Sequence, residues 1–286
     1  MNSSNRRINS SGLLGGFFSL WSLTTWIIVF NVVIFFLVAI LQSIFGDSIY
    51  NYLALYPSNI LAGRYVWTLL THMFMHADIF HLIFNMFSLW FIGRLLEKII
   101  GTKRFFWFYI LSGIFAGLVF VFFAGFFGTS ELGARLFSSP GIAGVGASGA
   151  IFGLLGVLIV LVPRMRVYLI LGPFIAIILE SILSATVTNS AVLDLIGILI
   201  NIYVLISIFA IFSMNGRMRK FALPVEMYIW ILPFVAIVPL ILIGLFFTLP
   251  IANTAHIGGL IAGLVYGYYL RTRYKNKVNL LEKYFK

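Results

Sequence analysis

The chain has 286 residues, 62% of them hydrophobic and only 9% charged, where a soluble domain carries about a quarter charged residues. A water-soluble core cannot absorb that much apolar sequence, so lipid must solvate it. The net charge of +11 lies between apolar runs and not on a soluble basic domain, which argues against a nucleic-acid partner, and the absence of cysteine excludes disulfides, thiolate catalysis and zinc fingers.

The apolar runs are continuous and rich in Leu, Ile and Phe, so they predict helices and not the alternating strands of a membrane barrel. A Ser/Asn-rich start carrying Arg6 and Arg7 reads as a cytosolic tail over 1–24. No small-residue cleavage pattern follows the first apolar run, so that run reads as a retained helix. Eight membrane helices are expected, at 25–45, 79–99, 105–127, 148–162, 167–185, 192–212, 227–247 and 253–270. They form a membrane domain over 25–271, followed by a basic cytosolic tail over 272–286. Two long loops, 46–78 and 128–147, separate helices 1 and 2 and helices 3 and 4.

Charge tests this layout. Seventeen of the nineteen Lys and Arg residues fall on one side of the eight-helix arrangement, and only Arg64 and Arg135 on the other. By the positive-inside rule both termini are cytosolic and the two long loops external. The chain is therefore expected to be an all-α, multi-pass integral membrane protein with membrane lipid as its surroundings.

Polar residues inside a membrane are costly and become functional candidates. Ser148, in Gly146-Ala147-Ser148-Gly149, falls where the external loop turns into helix 4. Serine is also a favoured N-cap, which is the bland explanation. A helix start nevertheless offers free N–H groups and a positive dipole end, which suit an oxyanion. His256, in Ala255-His256-Ile257-Gly258-Gly259, lies within about a turn of the external end of helix 8. Its bland explanation is a structural interhelical bond. The small residues Gly149 and Gly153 on helix 4, and Gly259, Gly263 and Gly267 on helix 8, favour close backbone approach. That packing would bring His256 to Ser148 as a base beside a nucleophile.

His81 and Asn85 sit four apart at the external start of helix 2, on one face, and suit oxyanion donation. His72 and His76 read as braces of the external loop. A metal site from His72, His76 and His81 lacks a His-Glu-x-x-His arrangement, so neither a metal nor any other cofactor is expected. Asp194 and Glu180 cannot be placed behind His256, which leaves a dyad without a carboxylate.

These pieces together resemble the rhomboid family of intramembrane serine proteases, over about 65–270. The carriers are the run 67–76 with Trp67, His72 and His76, then His81 with Asn85, then Gly-Ala-Ser148-Gly, then Ala-His256-x-Gly-Gly with Gly263. The resemblance implies Ser148 as nucleophile and His256 as general base. It implies an oxyanion hole of His81, Asn85 and the Ser148 amide, with Gly146 shaping the loop. It also implies cleavage of transmembrane protein substrates near the external ends of their helices, in a prokaryotic plasma membrane. Glu97 resembles a family position with a structural role. Two departures stand out. Thr68 follows Trp67 where many members have arginine, and three helices separate Ser148 from His256 where the six-helix core has one. An inserted pair preserves the sidedness of His256. Either helices 5–6 or helices 6–7 satisfy that, and the Leu-Pro-Val stretch at 223–225 favours the pair at about 167–213 as the insertion.

Two other functions fit parts of the sequence. A non-catalytic rhomboid-like escort of membrane clients would not need Ser148. A transporter would depend on Glu180 and Asp194.

Overall fold

The computed structural model describes residues 21–46, 48–187, 190–212, 220, 222–247 and 252–285. Most of the expected N-terminal tail lies outside the described residues, as do the cations Arg6, Arg7, Arg217, Arg219 and Lys286. The protein is a polytopic helical membrane fold. Among the described residues four helices are long and apolar enough to cross a bilayer: Leu23–Phe45, Ile79–Ile100, Thr102–Phe127 and Ser190–Ala210.

Helix α1, Leu23–Phe45, begins with Ser22 Oγ accepting from the Thr25 amide. Its 23 residues reach about 35 Å, enough for a hydrocarbon layer of about 30 Å. Phe30, Val33, Phe36, Ile40 and Ile44 are exposed along it, the surface that lipid must cover. The free amides at its start have a second partner. The Glu97 carboxylate accepts from Leu23 N at 2.9 Å, Thr24 N at 2.9 Å and Thr24 Oγ1 at 2.7 Å. An anion at a helix N-terminus satisfies orphan donors and meets the positive end of the dipole.

The segment that follows holds three short α-helices: α2 (Ser48–Leu53), α3 (Pro57–Leu61) and α4 (Thr68–Thr71). Trp67 Nε1 donates to Tyr52 O at 2.8 Å and Thr71 Oγ1 donates to Leu53 O at 2.7 Å, so the loop is tied to itself. A two-way bridge joins it to the loop that precedes Ser148, with Leu55 N donating to Gly144 O and Gly144 N to Leu55 O. The second span is α5 (Ile79–Ser88), a π-helical turn (Leu89–Gly93) and α6 (Arg94–Ile100).

The centre is built by three helices: α7 (Thr102–Phe127), α9 (Ser148–Leu161) and α13 (Asn253–Arg273), with α8 (Glu131–Phe137) on the loop between α7 and α9. Helix α9 is apolar all round and buried all round; Leu154, Val157 and Leu158 have no exposed surface. The close approach expected from the glycines is present. A methyl group on Gly259 would lie 1.9 Å from Gly149 O, and one on Gly263 2.1 Å from Gly153 O.

Two expected helix boundaries are different in the structure. Residues Arg166–Ile170 form strand β1 and Pro224–Tyr228 form strand β2, an antiparallel ribbon pairing Tyr168 with Glu226 and Ile170 with Pro224. The apolar content of these segments read as helix, but Val167, Tyr168 and Ile170 are β-branched or aromatic residues suited to a half-exposed ribbon. Pro224 stands at a strand start, where a missing N–H is tolerated. Arg166 and Glu226 form an ion pair at 3.3 Å. Helix α10 (Leu171–Thr186) and helix α11 (Ser190–Phe212) follow β1 and pack chiefly on each other. Past β2, a 3-10 turn at Ile229–Ile231 leads to α12, Leu232–Gly244, with Pro233 in its first turn. Helix α14, Lys275–Tyr284, follows α13 directly.

Candidate active site

Each side chain of the site is held by an element whose local sequence fixes it. Ser148 is the first residue of α9, so its amide has no partner within the helix. The loop reaches it through Gly146, whose φ is +118, a region L side chains rarely adopt. The Gly146 amide donates to His72 O at 2.9 Å, which anchors the loop to the segment that follows α4.

His256 stands in the first turn of α13. Its Nε2 is 2.8 Å from Ser148 Oγ. The imidazole stacks on Phe152, with ring centroids 4.5 Å apart and planes 17° from parallel. Its Nδ1 is buried without a hydrogen-bond partner among the described residues. The ring is therefore oriented by stacking and by the rigid α9–α13 contact, with no described carboxylate behind it.

His81 and Asn85 approach the same place from α5. Asp78 caps that helix by accepting from the His81 amide at 2.8 Å. A methyl group on Gly146 would lie 2.8 Å from His81 Nε2 and 3.7 Å from Asn85 Nδ2, so both side chains face the loop just before the serine. The Ala77 amide points at His81 Nδ1 at 3.5 Å, which makes Nδ1 the acceptor and leaves Nε2–H as the ring's donor on the Gly146 side. Asn85 Nδ2 gives one of its hydrogens to His81 O at 2.9 Å and keeps the other. All five candidate residues thus meet around one point.

His72 was expected only as a brace. It is that, with Nδ1 bonded to Thr68 O at 2.8 Å. It also lines, with Gly146, Ser148 and Gly149, a cavity of about 20 Å³ beside the serine, roughly the room of one water. Sequence spacing gave no sign of this, because the placement depends on α7: the Gly117 of that helix lets the His72 ring in. His76 is buried and packs edge-on against His81 at 5.1 Å. Both histidines lie outside the spanning helices. Burial lowers His72 to about 4, and burial with the nearby His81 charge lowers His76 to about 3. Both are neutral at physiological pH.

Glu180 and Asp194 line a separate cleft of about 520 Å³ between α10 and α11, which shares no lining residue with the serine cavity.

Comparison with known proteins decides the family. The rhomboid domain model matches residues 63–201 and 173–273, most of the chain. The chain belongs to the rhomboid family. The overlap of the two matches, 173–201, falls on α10 and the first half of α11. Among curated proteins, it is 42% identical over 106 residues to RHOMBOID-like protein 1 of Arabidopsis thaliana, covering 37% of this chain and 23% of that one. It is 28% identical over 132 residues to the Rhomboid protease GlpG of Salmonella newport, covering 46% of this chain and 41% of that one. The chain thus spans less than half the length of either relative, and only the second is named a protease. Membership in this family supports intramembrane proteolysis in general terms, in an integral membrane protein.

Proposed function

We propose that this rhomboid-family protein is an intramembrane serine endopeptidase that works with a Ser148–His256 dyad on transmembrane protein substrates, cutting near the external ends of their helices. The observation that carries this reading is the 2.8 Å approach of His256 Nε2 to Ser148 Oγ. The depth of the pair supports it too. Helix α9 has 14 residues and spans about 21 Å, so a helix reaching the cytosolic face at Leu161 stops short of the external surface of a layer about 30 Å thick. Ser148 is then recessed, within reach of a substrate helix that enters laterally and unwinds.

In the mechanism, His256 Nε2 takes the Ser148 proton as Oγ attacks the scissile carbonyl carbon. The oxyanion is met by the unpartnered Ser148 amide, His81 Nε2–H and the second hydrogen of Asn85 Nδ2. His256 returns the proton to the leaving amine. A water in the cavity beside His72 then gives a proton to His256 and attacks the acyl carbon, and His256 passes that proton to Ser148 Oγ as the acyl–oxygen bond breaks, which frees the acid and regenerates Ser148. Neither metal nor cofactor has a role in these steps. The seventeen-to-two charge bias supports cytosolic termini, and a prokaryotic plasma membrane is the location proposed. The helix pair α10–α11, bracketed by β1 and β2, is read as the insertion into a six-helix core.

Labelling with a fluorophosphonate in detergent tests the dyad. Wild-type protein should label, and Ser148→Ala and His256→Ala should not. Labelling that survives both substitutions would overturn the assignment. If Ser148→Ala left a cellular activity intact, the escort function would replace the protease.

A further inference from the structure

Helix α14 ends the described chain on the cytosolic side of the proposed topology. Its two faces differ sharply. Val278 is buried, and Leu281 and Phe285 pack on the main hydrophobic core. On the opposite side Lys277, Leu280 and Lys283 recur at three-residue spacing, with Lys275 at the flank, all exposed. Leu280 is 68% exposed. Among the described residues these three lysines take part in no ion pair. The one acid of α14, Glu282, is taken up by Arg271 at 2.8 Å.

Arg271 connects this helix to the site. Its Nη1 donates to Val160 O at 2.7 Å, in the last turn of α9, while its Nη2 pairs with Glu282. One guanidinium on α13 therefore joins the far ends of the helices that carry Ser148 and His256 to α14. Arg104 adds a second tie, donating to the Tyr274 hydroxyl at 2.8 Å in the link between α13 and α14.

We propose that the outer face of α14 is a docking surface for anionic phospholipid headgroups of the cytosolic leaflet. Unpaired lysines around an exposed leucine match a negative headgroup layer with acyl chains just beneath it. A soluble acidic protein would answer the lysines but leave Leu280 without a partner. The leaflet is always adjacent in a protein that spans it. Bound lipid holds α14 on the bundle and, through Arg271, holds α9 against α13. This inference rests on the cytosolic assignment of the C-terminal segment, not on the protease activity.

The absence of cysteine from the chain makes a direct test available. Leu280→Cys, labelled with a nitrobenzoxadiazole probe, is placed in nanodiscs of phosphatidylcholine alone or with about one third phosphatidylglycerol. The probe should shift to the blue with phosphatidylglycerol, and about 0.5 M salt should reverse the shift, since exposed charges are screened. Lys275→Gln, Lys277→Gln and Lys283→Gln together should abolish it, each lysine weakening lipid association about fivefold at low salt. An unchanged thermal midpoint of the triple variant in pure phosphatidylcholine discs shows that it folds. Equal spectra in both lipids, a shift retained in the triple variant, or a shift induced by polyglutamate in pure phosphatidylcholine discs would each overturn the proposal. Fluorophosphonate labelling of the same samples reports on the dyad separately, so failure of one reading does not mimic failure of the other.

Discussion

Gly259 faces the carbonyl oxygen of Gly149 so closely that a methyl group at Gly259 would lie 1.9 Å from it. Gly149 follows Ser148 on α9, and Gly259 is one turn from His256 on α13. Their contact fixes the separation of two rigid helices and thereby the reach of His256 to Ser148. The obstruction is backbone, which cannot swing aside as a side chain could.

Gly259→Ala and Gly263→Ala are therefore expected to push α13 off α9 and to stretch the Ser148–His256 contact. A displacement of about 1 Å at a reacting pair costs on the order of 100-fold in rate. Cleavage of a reporter transmembrane substrate in proteoliposomes should fall by that order, and the thermal midpoint should fall with it. Gly141→Ala serves as control, because nothing lies within 4 Å of a methyl group there. Equal activity of Gly259→Ala and Gly141→Ala would show that helix separation does not govern the dyad.

The proposed oxyanion donors make a different prediction. His81→Ala or Asn85→Ala removes one donor and leaves the 2.8 Å serine–histidine contact in place. Turnover should drop about 100- to 1000-fold, while slow labelling by fluorophosphonate persists. Gly146→Ala should lose more, because it combines a φ of +118 with a methyl group 2.8 Å from His81 Nε2. A Gly146→Ala enzyme with unaltered kinetics would mean that the loop conformation is not required.

The helices and the meeting of Ser148 with His256 were legible in the sequence because each rests on a local rule. Long apolar runs must be helices in lipid, and glycines at four-residue spacing let backbones touch. What was not legible depends on contacts between distant segments. Residues 167–170 and 227–228 are apolar enough to read as helix starts, and only the pairing of 166–170 with 224–228 makes these segments strands. His72 reads as a loop residue, and its place beside the Ser148 cavity follows from Gly117 on another helix. The capping of α1 by Glu97 likewise joins residues more than seventy positions apart.

That cap predicts a stability effect without a catalytic one. Glu97 receives two backbone amides, the Thr24 hydroxyl and, at 3.1 Å, Thr102 Oγ1. Glu97→Ala leaves these buried donors unmet, at a cost of about 1–3 kcal/mol. The thermal midpoint in detergent should fall by several degrees, with labelling of Ser148 retained at low temperature. Glu97→Gln should fall between the two, since its amide oxygen can accept but carries no charge for the helix dipole. A midpoint unmoved in Glu97→Ala would mean that water replaces the carboxylate without penalty.

Burial of His72 and His76 predicts a loss of stability in acid. His72 titrates at about 4 and His76 at about 3 in the folded chain, against about 6.5 when unfolded. Between those values the unfolded chain binds protons that the folded chain refuses. Stability is therefore fully present above pH 6.5 and is lost as the pH falls toward 4 for His72 and toward 3 for His76. Neither ring nitrogen of His76 has a hydrogen-bond partner among the described residues, so His76→Phe sacrifices no bond while removing one titration. The thermal midpoint of the wild type should drop between pH 7 and pH 4, and that of His76→Phe should drop less. Parallel curves for the two proteins would place the acid sensitivity elsewhere.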